Sequence, residues 1–230
     1  MADRGQVGAE SEKARIRDLY ARLAGSYDWS LPLFRLAGFR EGAYRRELVA
    51  GLDLSPGDTV VDLGCGTGRN FPDLREAVGA EGAIIGVDFS PAMLARARRR
   101  VEGRGWGNVT LVEAEAADFG YPANVRAVVV AFALGAMPDY ERAITRATEA
   151  LPPGGRLGML ELTYPERWPR WLADLGVRLM HPYGANFENA RRRPWEAVPE
   201  ALRPLSLRER YFGAIVLAVG ERHSAEDYQC

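Results

Sequence analysis

Apolar and polar positions follow two rhythms along this chain. Between Ser11 and Leu23 the apolar residues Ile16, Leu19, Tyr20 and Leu23 recur at three- and four-residue steps, the period of an amphipathic helix. A second helix is predicted over Gly38–Val49, closing near Gly51. From Asp58 onward short apolar runs take over: Thr59–Leu63, Ala83–Val87, Val109–Val112, Val125–Phe132 and Arg156–Leu162. Helical stretches separate them. One follows a glycine cluster and ends near Val78; one covers Pro91–Val101, with proline in its favoured first turn. Another covers Asp139–Leu151 and is stopped by Pro152-Pro153-Gly154-Gly155. A further helix spans Trp168–Met180, and Leu205–Val219 reads as a closing hairpin. Strands that are apolar throughout are covered on both faces, which requires a parallel sheet between helices. Right-handed crossovers make that sheet doubly wound.

Composition adds bounds. The chain has 230 residues, 47% hydrophobic and 27% charged, as expected for one soluble α/β domain. A formal net charge of −1 gives no basic excess for a phosphate backbone, so no nucleic-acid partner is expected. Lys13 is the sole lysine, which leaves arginine as the cation throughout. Cys65 and Cys230 are too few for a disulfide framework. No metal site is expected. No secretory leader is visible after Met1, and the longest apolar runs fall short of the ~20 residues that span a bilayer. The expectation is a cytoplasmic protein.

The richest chemistry lies in Val60-Val-Asp-Leu-Gly-Cys-Gly-Thr-Gly-Arg-Asn. Gly64, Gly66 and Gly68 stand between a strand and a helix, where missing Cβ atoms let backbone approach a ligand. A dinucleotide site uses G-x-G-x-x-G to seat a pyrophosphate. Here the spacing is G-x-G-x-G, and Asp62 precedes it, a carboxylate that would repel pyrophosphate and suit a positive amine. Asp88 ends the next strand, placed to accept from both ribose hydroxyls of a nucleoside. Glu115 follows the third strand, where it can accept from an adenine amine. Amine, ribose and adenine together describe S-adenosylmethionine better than a nicotinamide dinucleotide.

Asp62-Leu-Gly-Cys-Gly-Thr-Gly, Gly86-Val-Asp-Phe-Ser-Pro-Ala-Met-Leu and Leu151-Pro-Pro-Gly-Gly-Arg-Leu resemble successive motifs of the class I S-adenosylmethionine-dependent methyltransferases. They come in that family's order and cover most of residues 58–162. The resemblance implies a Rossmann-like, doubly wound seven-stranded sheet, mostly parallel with a C-terminal antiparallel hairpin. It implies Gly64 and Gly66, with Cys65 between them, at the methionine part of the cofactor, and Asp88 on the ribose. It also implies Phe89 and Met93 beside the adenine, with Glu115 and the Ala116 backbone at its polar edge. Two departures stand out. Ala114-Glu115-Ala116 replaces the family's Gly-Asp-Ala, and Arg126 replaces an acid at the start of the fourth strand, a change read as structural. Cys65 is read as a small residue in a crowded turn, since methyl transfer from a sulfonium needs no thiol.

The acceptor side is expected at the carboxyl ends of the strands. Tyr20-Ala-Arg-Leu-Ala-Gly-Ser-Tyr-Asp-Trp resembles the opening of the quinone-biosynthesis C-methyltransferases and bacterial phospholipid N-methyltransferases. In that group Tyr27 and Asp28 would lie over the cofactor; the other reading has Tyr27 only packing its helix onto the sheet. Ala131-Phe132-Ala-Leu-Gly-Ala-Met137 resembles the phospholipid-headgroup enzymes, implying Ala131 and Phe132 at the cofactor and Met137 at the acceptor. His181 is the better placed histidine for accepting a proton, with a structural role the alternative. In the Trp168–Met180 helix, tryptophans beside Arg167, Arg170 and Arg178 make a membrane-interface composition, set against plain packing on the sheet.

These readings divide the chain into an N-terminal helical cap (1–52), a cofactor-binding core (53–162), an acceptor-side insertion (163–204) and a C-terminal hairpin and tail (205–230). The expected reaction carries the methyl group of S-adenosylmethionine to a small or lipid-like acceptor, with amine or phospholipid-headgroup nitrogen leading. Carbon or oxygen of a quinone or natural product comes second, and a non-catalytic cofactor-binding sensor is the competing class. A redox dehydrogenase is a distant third. Peripheral contact with the inner membrane face belongs to the lipid reading.

Overall fold

A computed structural model of the chain describes residues 38–181 and 186–223. The expected helix over Ser11–Leu23, the Tyr27-Asp28 pair and Cys230 lie outside the described residues.

The chain enters through helix α1 (Glu41–Gly51) and then lays down β1 (Thr59–Leu63), α2 (Phe71–Val78), β2 (Ala83–Asp88), α3 (Pro91–Glu102) and β3 (Val109–Glu113). It continues through β4 (Val125–Ala131), α4 (Tyr140–Ala150) and β5 (Arg156–Leu162). Then come α5 (Arg170–Met180), α6 (Phe187–Arg191), β6 (Leu202–Arg210) and β7 (Ile215–Arg222). The seven strands form one sheet in the order β3-β2-β1-β4-β5-β7-β6. Pairings among β1 to β5 are parallel, while β7 runs antiparallel to both β5 and β6.

Side-chain alternation along the central strands divides the core in two. Ala127, Val129 and Ala131 of β4 face a cluster built with Leu48 and Leu52 of α1, Phe71 and Leu74 of α2 and Leu94 of α3. Val128 and Val130 face the other way, toward Ala143, Ile144 and Ala147 of α4. Both faces are covered, which is why every residue of β1 is buried. Burying a side chain of Leu or Phe size contributes roughly 1.5–3 kcal/mol, so these two layers hold the sheet.

Among the described residues the expected elements are present, with their ends moved by a few residues. α5 starts at Arg170, because Pro169 precedes it with an extended ψ of 131°. β6 starts at Leu202, ahead of the expected Leu205, and includes Pro204. Proline is tolerated there because β6 is the edge strand and its register shifts between Pro204 and Ser206. The short helix α6 was not anticipated; its N-cap Asn186 accepts from the Asn189 N–H at 2.7 Å. Arg126, anomalous by resemblance, donates from its guanidinium to the Gly154 carbonyl in the turn before β5, a structural role as expected.

Order in the sheet positions the site. β1 lies between β2 on one side and β4 on the other, so the connections leaving β1 and β4 diverge to opposite faces. A crevice opens at the carboxyl ends of these strands.

Candidate functional site

The loop after β1 is shaped by backbone. Gly64 and Cys65 both donate N–H bonds to the Val87 carbonyl, at 2.8 and 2.9 Å, which pins the turn to β2. Gly64 and Gly66 adopt φ of +70° and +55°, a region costly for residues with a Cβ. They differ in surroundings. A Cβ on Gly64 would stand 2.6 Å from the Ala133 Cβ, whereas a Cβ on Gly66 would meet nothing within 4 Å. Gly64 is closed in by protein; Gly66 opens onto the crevice.

Asp88 ties the loop to β2. Its Oδ2 accepts from the Gly66 N–H at 2.8 Å and its Oδ1 from the Ser90 N–H at 2.9 Å. Burial pushes the Asp88 carboxyl up to about 6, the two backbone N–H groups opposing it and the Glu115 charge adding to it. Each carboxylate oxygen retains capacity for a further hydrogen bond.

Gly64, Cys65, Gly66, Asp88, Phe89, Met93, Glu115, Ala116, Ala131 and Phe132 all line one cleft of about 900 Å³, its open mouth included. Its lining, apolar with a few convergent polar groups, is that of a small-molecule site. Met137 lines it too. Burial holds the Cys65 thiol far above its usual range, the charges of Asp88 and Asp62 adding to this, so it is no nucleophile.

Two expectations are corrected. Asp62 does not reach the cleft: it is fully buried, and its Oδ1 accepts from Asn70 Nδ2 at 2.9 Å. Its Oδ2 has no partner, and burial pushes its carboxyl up to about 7 against the Asn70 hydrogen bond and Arg45. The strand's pleat turns it under the loop. His181 caps the far end of α5, is exposed, and is absent from the cleft wall. Tyr27 lies outside the described residues.

Residues that were not anticipated support the loop from below. Arg45 of α1 is buried, donates from Nη1 to Asn70 Oδ1 at 2.7 Å and from Nε to Glu41 Oε1 at 2.7 Å, and lines the cleft. Arg69 of the loop reaches Glu41 through Nε at 3.0 Å and Nη2 at 2.8 Å. Burial raises Glu41 more than any single partner lowers it, yet the two arginines together hold it below the usual carboxylate range. Hydrogen bonds thus run from Asp62 through Asn70, Arg45 and Glu41 to Arg69. The Arg45 guanidinium also sits 5.1 Å from the Phe132 ring centroid. Phe132 is held at φ +59°, its N–H bonded to the Leu160 carbonyl at 2.7 Å. Beneath it, Glu161 of β5 accepts from the N–H groups of Ala133 and Leu134 at 2.9 and 2.8 Å. Burial pushes the Glu161 carboxyl up to about 7, against those N–H groups and Arg45. A readable signal existed for both: Glu41 and Arg45 fall on the i, i+4 buried stripe of α1, and Glu161 is the lone acid in an apolar strand.

The donors fit an adenosyl ligand. Asp88 can accept from a vicinal diol, Gly66 offers bare backbone, and Phe89, Met93 and Ala116 can flank a flat base. No His, Cys, Asp and Glu cluster able to hold a metal occurs among the described residues.

Comparison with known proteins agrees with this geometry. Residues 60–155 match the family described as "Methyltransferase domain". A demethylmenaquinone methyltransferase of Shouchella clausii is 31% identical over 158 residues, 68% of this chain and 66% of that protein. One of Bacillus cereus is 30% identical over 157 residues, 68% of this chain and 65% of that one. The matched region spans just under two thirds of these relatives. A solved complex of a Haloferax volcanii methyltransferase activator with a putative methyltransferase aligns with TM-score 0.66. It covers 91% of this chain and 98% of that one at 18% identity, a likeness of fold. Glycine loop, the acid ending β2, sheet order and family match converge: residues 60–155 form a methyltransferase domain of the class I S-adenosylmethionine-dependent type.

Proposed function

We propose that this chain carries the methyl group of S-adenosylmethionine to a ring carbon of a quinol-type acceptor. The observation that carries the acceptor class is the name shared by relatives at 30–31% identity, demethylmenaquinone methyltransferase. It favours carbon methylation over the amine or phospholipid-headgroup nitrogen that the sequence placed first. Cleft chemistry supports the same choice. The wall formed by Phe132, Ala133, Ala136, Met137 and Pro138 is apolar, and Arg45 stands beside it. A protonated amine gains nothing there, whereas a flat ring can lie against it. The carboxylates of the described wall, Asp88 and Glu115, belong on the nucleoside side.

In this reading Asp88 receives the ribose hydroxyls, Phe89 and Met93 flank the adenine, and Glu115 with the Ala116 backbone meets its amine. Gly64, Cys65 and Gly66 pass the methionine part, and Ala131 and Phe132 border the reacting end. The cofactor supplies an electrophilic methyl on a cationic sulfur. The chain supplies alignment, bringing the nucleophile to ~3–3.5 Å in line with the methyl–sulfur bond, and keeps water out. Carbon attack is helped when the ring hydroxyl gives up its proton. Transfer forms the C–CH3 bond, breaks the methyl–sulfur bond to leave S-adenosylhomocysteine, and releases the proton of the substituted ring carbon to water. By resemblance Tyr27 is the candidate to lie over the cofactor; His181, exposed beyond α5, is not placed to accept a proton.

The test is incubation of the full chain with methyl-labelled S-adenosylmethionine and, separately, a reduced demethylated naphthoquinone or phosphatidylethanolamine. Label on the quinol ring carbon is expected. Label on the amine alone overturns the acceptor, and tight cofactor binding without turnover on either favours the sensor.

A further inference from the structure

Helix α5 is inverted with respect to solvent. Its inward residues are the small Ala173 and Val177, while Trp171, Leu175 and Leu179 are 69%, 44% and 59% exposed. These three lie four residues apart on one face and form an apolar line about 12 Å long. Beside its first turn, the turn between β6 and β7 holds Tyr211 and Phe212 at φ of 50° and 56°, and Phe212 is 80% exposed. Two successive left-handed residues without glycine cost about 1–2 kcal/mol each. The fold maintains that strain and holds a phenyl ring in water. Trp168 fastens the turn to the start of α5, donating from Nε1 to the Phe212 carbonyl at 3.0 Å.

Charge surrounds this apolar surface. Arg167, Arg170 and Arg178 are exposed along it. The one acid of α5, Asp174, accepts from the Tyr164 hydroxyl at 2.9 Å. Glu209 approaches Arg167 at 3.4 Å, and Glu166 is engaged by Arg193. The surface is also continuous with the cleft. Rings follow one another from Phe132 on the cleft wall to Phe39 at 6.4 Å, to Tyr211 at 5.6 Å and to Trp168 at 6.0 Å.

We propose that α5 and the Tyr211–Phe212 turn form a docking surface for a bilayer carrying anionic headgroups. Phe212, Trp171, Leu175 and Leu179 enter the headgroup boundary, and the arginines meet lipid phosphate. Charge distinguishes this occupant from residues 1–37, which carry six basic and five acidic side chains and so bring no acidic excess to an arginine-lined surface. A second copy would set the same arginines against each other if it docked by this face symmetrically. The proposal does not depend on the identity of the methyl acceptor.

Co-sedimentation of the full chain with vesicles of phosphatidylcholine and phosphatidylglycerol at low salt tests it, with pure phosphatidylcholine alongside. Binding to the anionic vesicles is expected, weakening as salt is raised. Replacing Arg170 and Arg178 by Gln should cost about fivefold in affinity for each arginine removed. Phe212→Ser with Trp171→Ser should abolish sedimentation while leaving the far-ultraviolet spectrum and S-adenosylhomocysteine affinity unchanged. Bromine-labelled acyl chains should quench tryptophan emission of the full chain, and less so for Trp171→Phe. Absence of vesicle binding at low salt overturns the proposal. So does binding indifferent to all these substitutions, or a double serine variant that shifts from dimer to monomer on a sizing column. Methyl transfer to a short-tailed soluble quinol reads the acceptor assignment separately, because that acceptor needs no membrane.

Discussion

Helices α1 and α5 break the same rule in opposite directions. α1 buries charge: Glu41 and Arg45 are 5% and 6% exposed, alongside Leu48 and Val49. α5 exposes apolar bulk and turns two small residues inward. The buried charges of α1 are fully engaged, each to a named partner, and the last of those partners is the cofactor loop itself. The exposed side chains of α5 have no such closure among the described residues. Buried polarity that is paired makes a fixed platform. Apolar surface left outward marks a place where something else completes the structure. The cleft thus rests on a paired, self-contained platform, while α5, outside the cleft wall, leaves its apolar face uncovered.

The largest expected effect falls on the platform. Arg45→Ala leaves Glu41 with Arg69 as its one cation and the Asn70 Oδ1 without a donor in the core, which should cost about 3 kcal/mol in urea unfolding. A loss below about 1 kcal/mol would mean that α1 is not fixed by its charges, and the contrast between the helices would fail. Asp88→Ala comes next. It should weaken S-adenosylhomocysteine by about 1.5–3 kcal/mol in calorimetry and weaken methylthioadenosine equally, since the ribose is shared. The paired glycines sharpen the reading further. Gly64→Ala adds a 2.6 Å clash to a left-handed backbone, whereas Gly66→Ala adds only the backbone cost of about 1–2 kcal/mol. Thermal unfolding should therefore order them, Gly64→Ala below Gly66→Ala, while both impair cofactor binding.

The platform should also carry a pH signature. Asp62, Glu161 and Asp88 have folded pKa values near 7, 7 and 6, above their ordinary carboxylate values. Groups raised on folding bind more protons in the native state than in the unfolded one across that interval, so stability falls as pH rises through it. Their contribution favours the fold below about pH 4 and is lost progressively up to about pH 7. Glu41, lowered on folding, acts in the reverse sense and only in acid. Melting temperature should thus be higher at pH 5.5 than at pH 8, and Asp62→Asn should flatten that slope. The smallest effect belongs to α5: Leu175→Ser should change stability by no more than about 0.5 kcal/mol, the range of an unengaged surface site.

Periodicity and glycine placement made the sheet, its winding and the loop legible, because both are backbone properties. Asp88 and Asp62 illustrate the limit. Each is an acid at or near the end of a strand, yet one faces the cleft and the other turns under the loop, a difference of pleat that spacing from the glycines does not report. Arg45 was hidden for a related reason: the Gly38–Val49 helix was placed by its bounds alone, and the charges of Glu41 and Arg45 on its buried stripe were passed over. For α5 the pattern gave an apolar side but not the direction in which it points. Ala173 and Val177 face inward because small side chains let the helix approach, and no rhythm in the sequence says so. The hairpin was expected from Leu205, but β6 starts at Leu202 and takes in Pro204, which an edge position with a register shift allows.

The order of strands in space has a further consequence for how the chain is made. β7, the latest of the described strands in sequence, lies inside the sheet between β5 and β6. During synthesis, everything from α1 to β5 can be out of the ribosome while β5 still presents a bare hydrogen-bonding edge to the cell. β6, which emerges first, has no seat in the sheet until Ile215–Arg222 follows it. The nascent chain therefore passes through an interval in which a finished nucleotide-binding half carries an open, aggregation-prone margin. A premature stop near residue 214 would remove an interior plank rather than a fringe, leaving β6 with nothing to pair with.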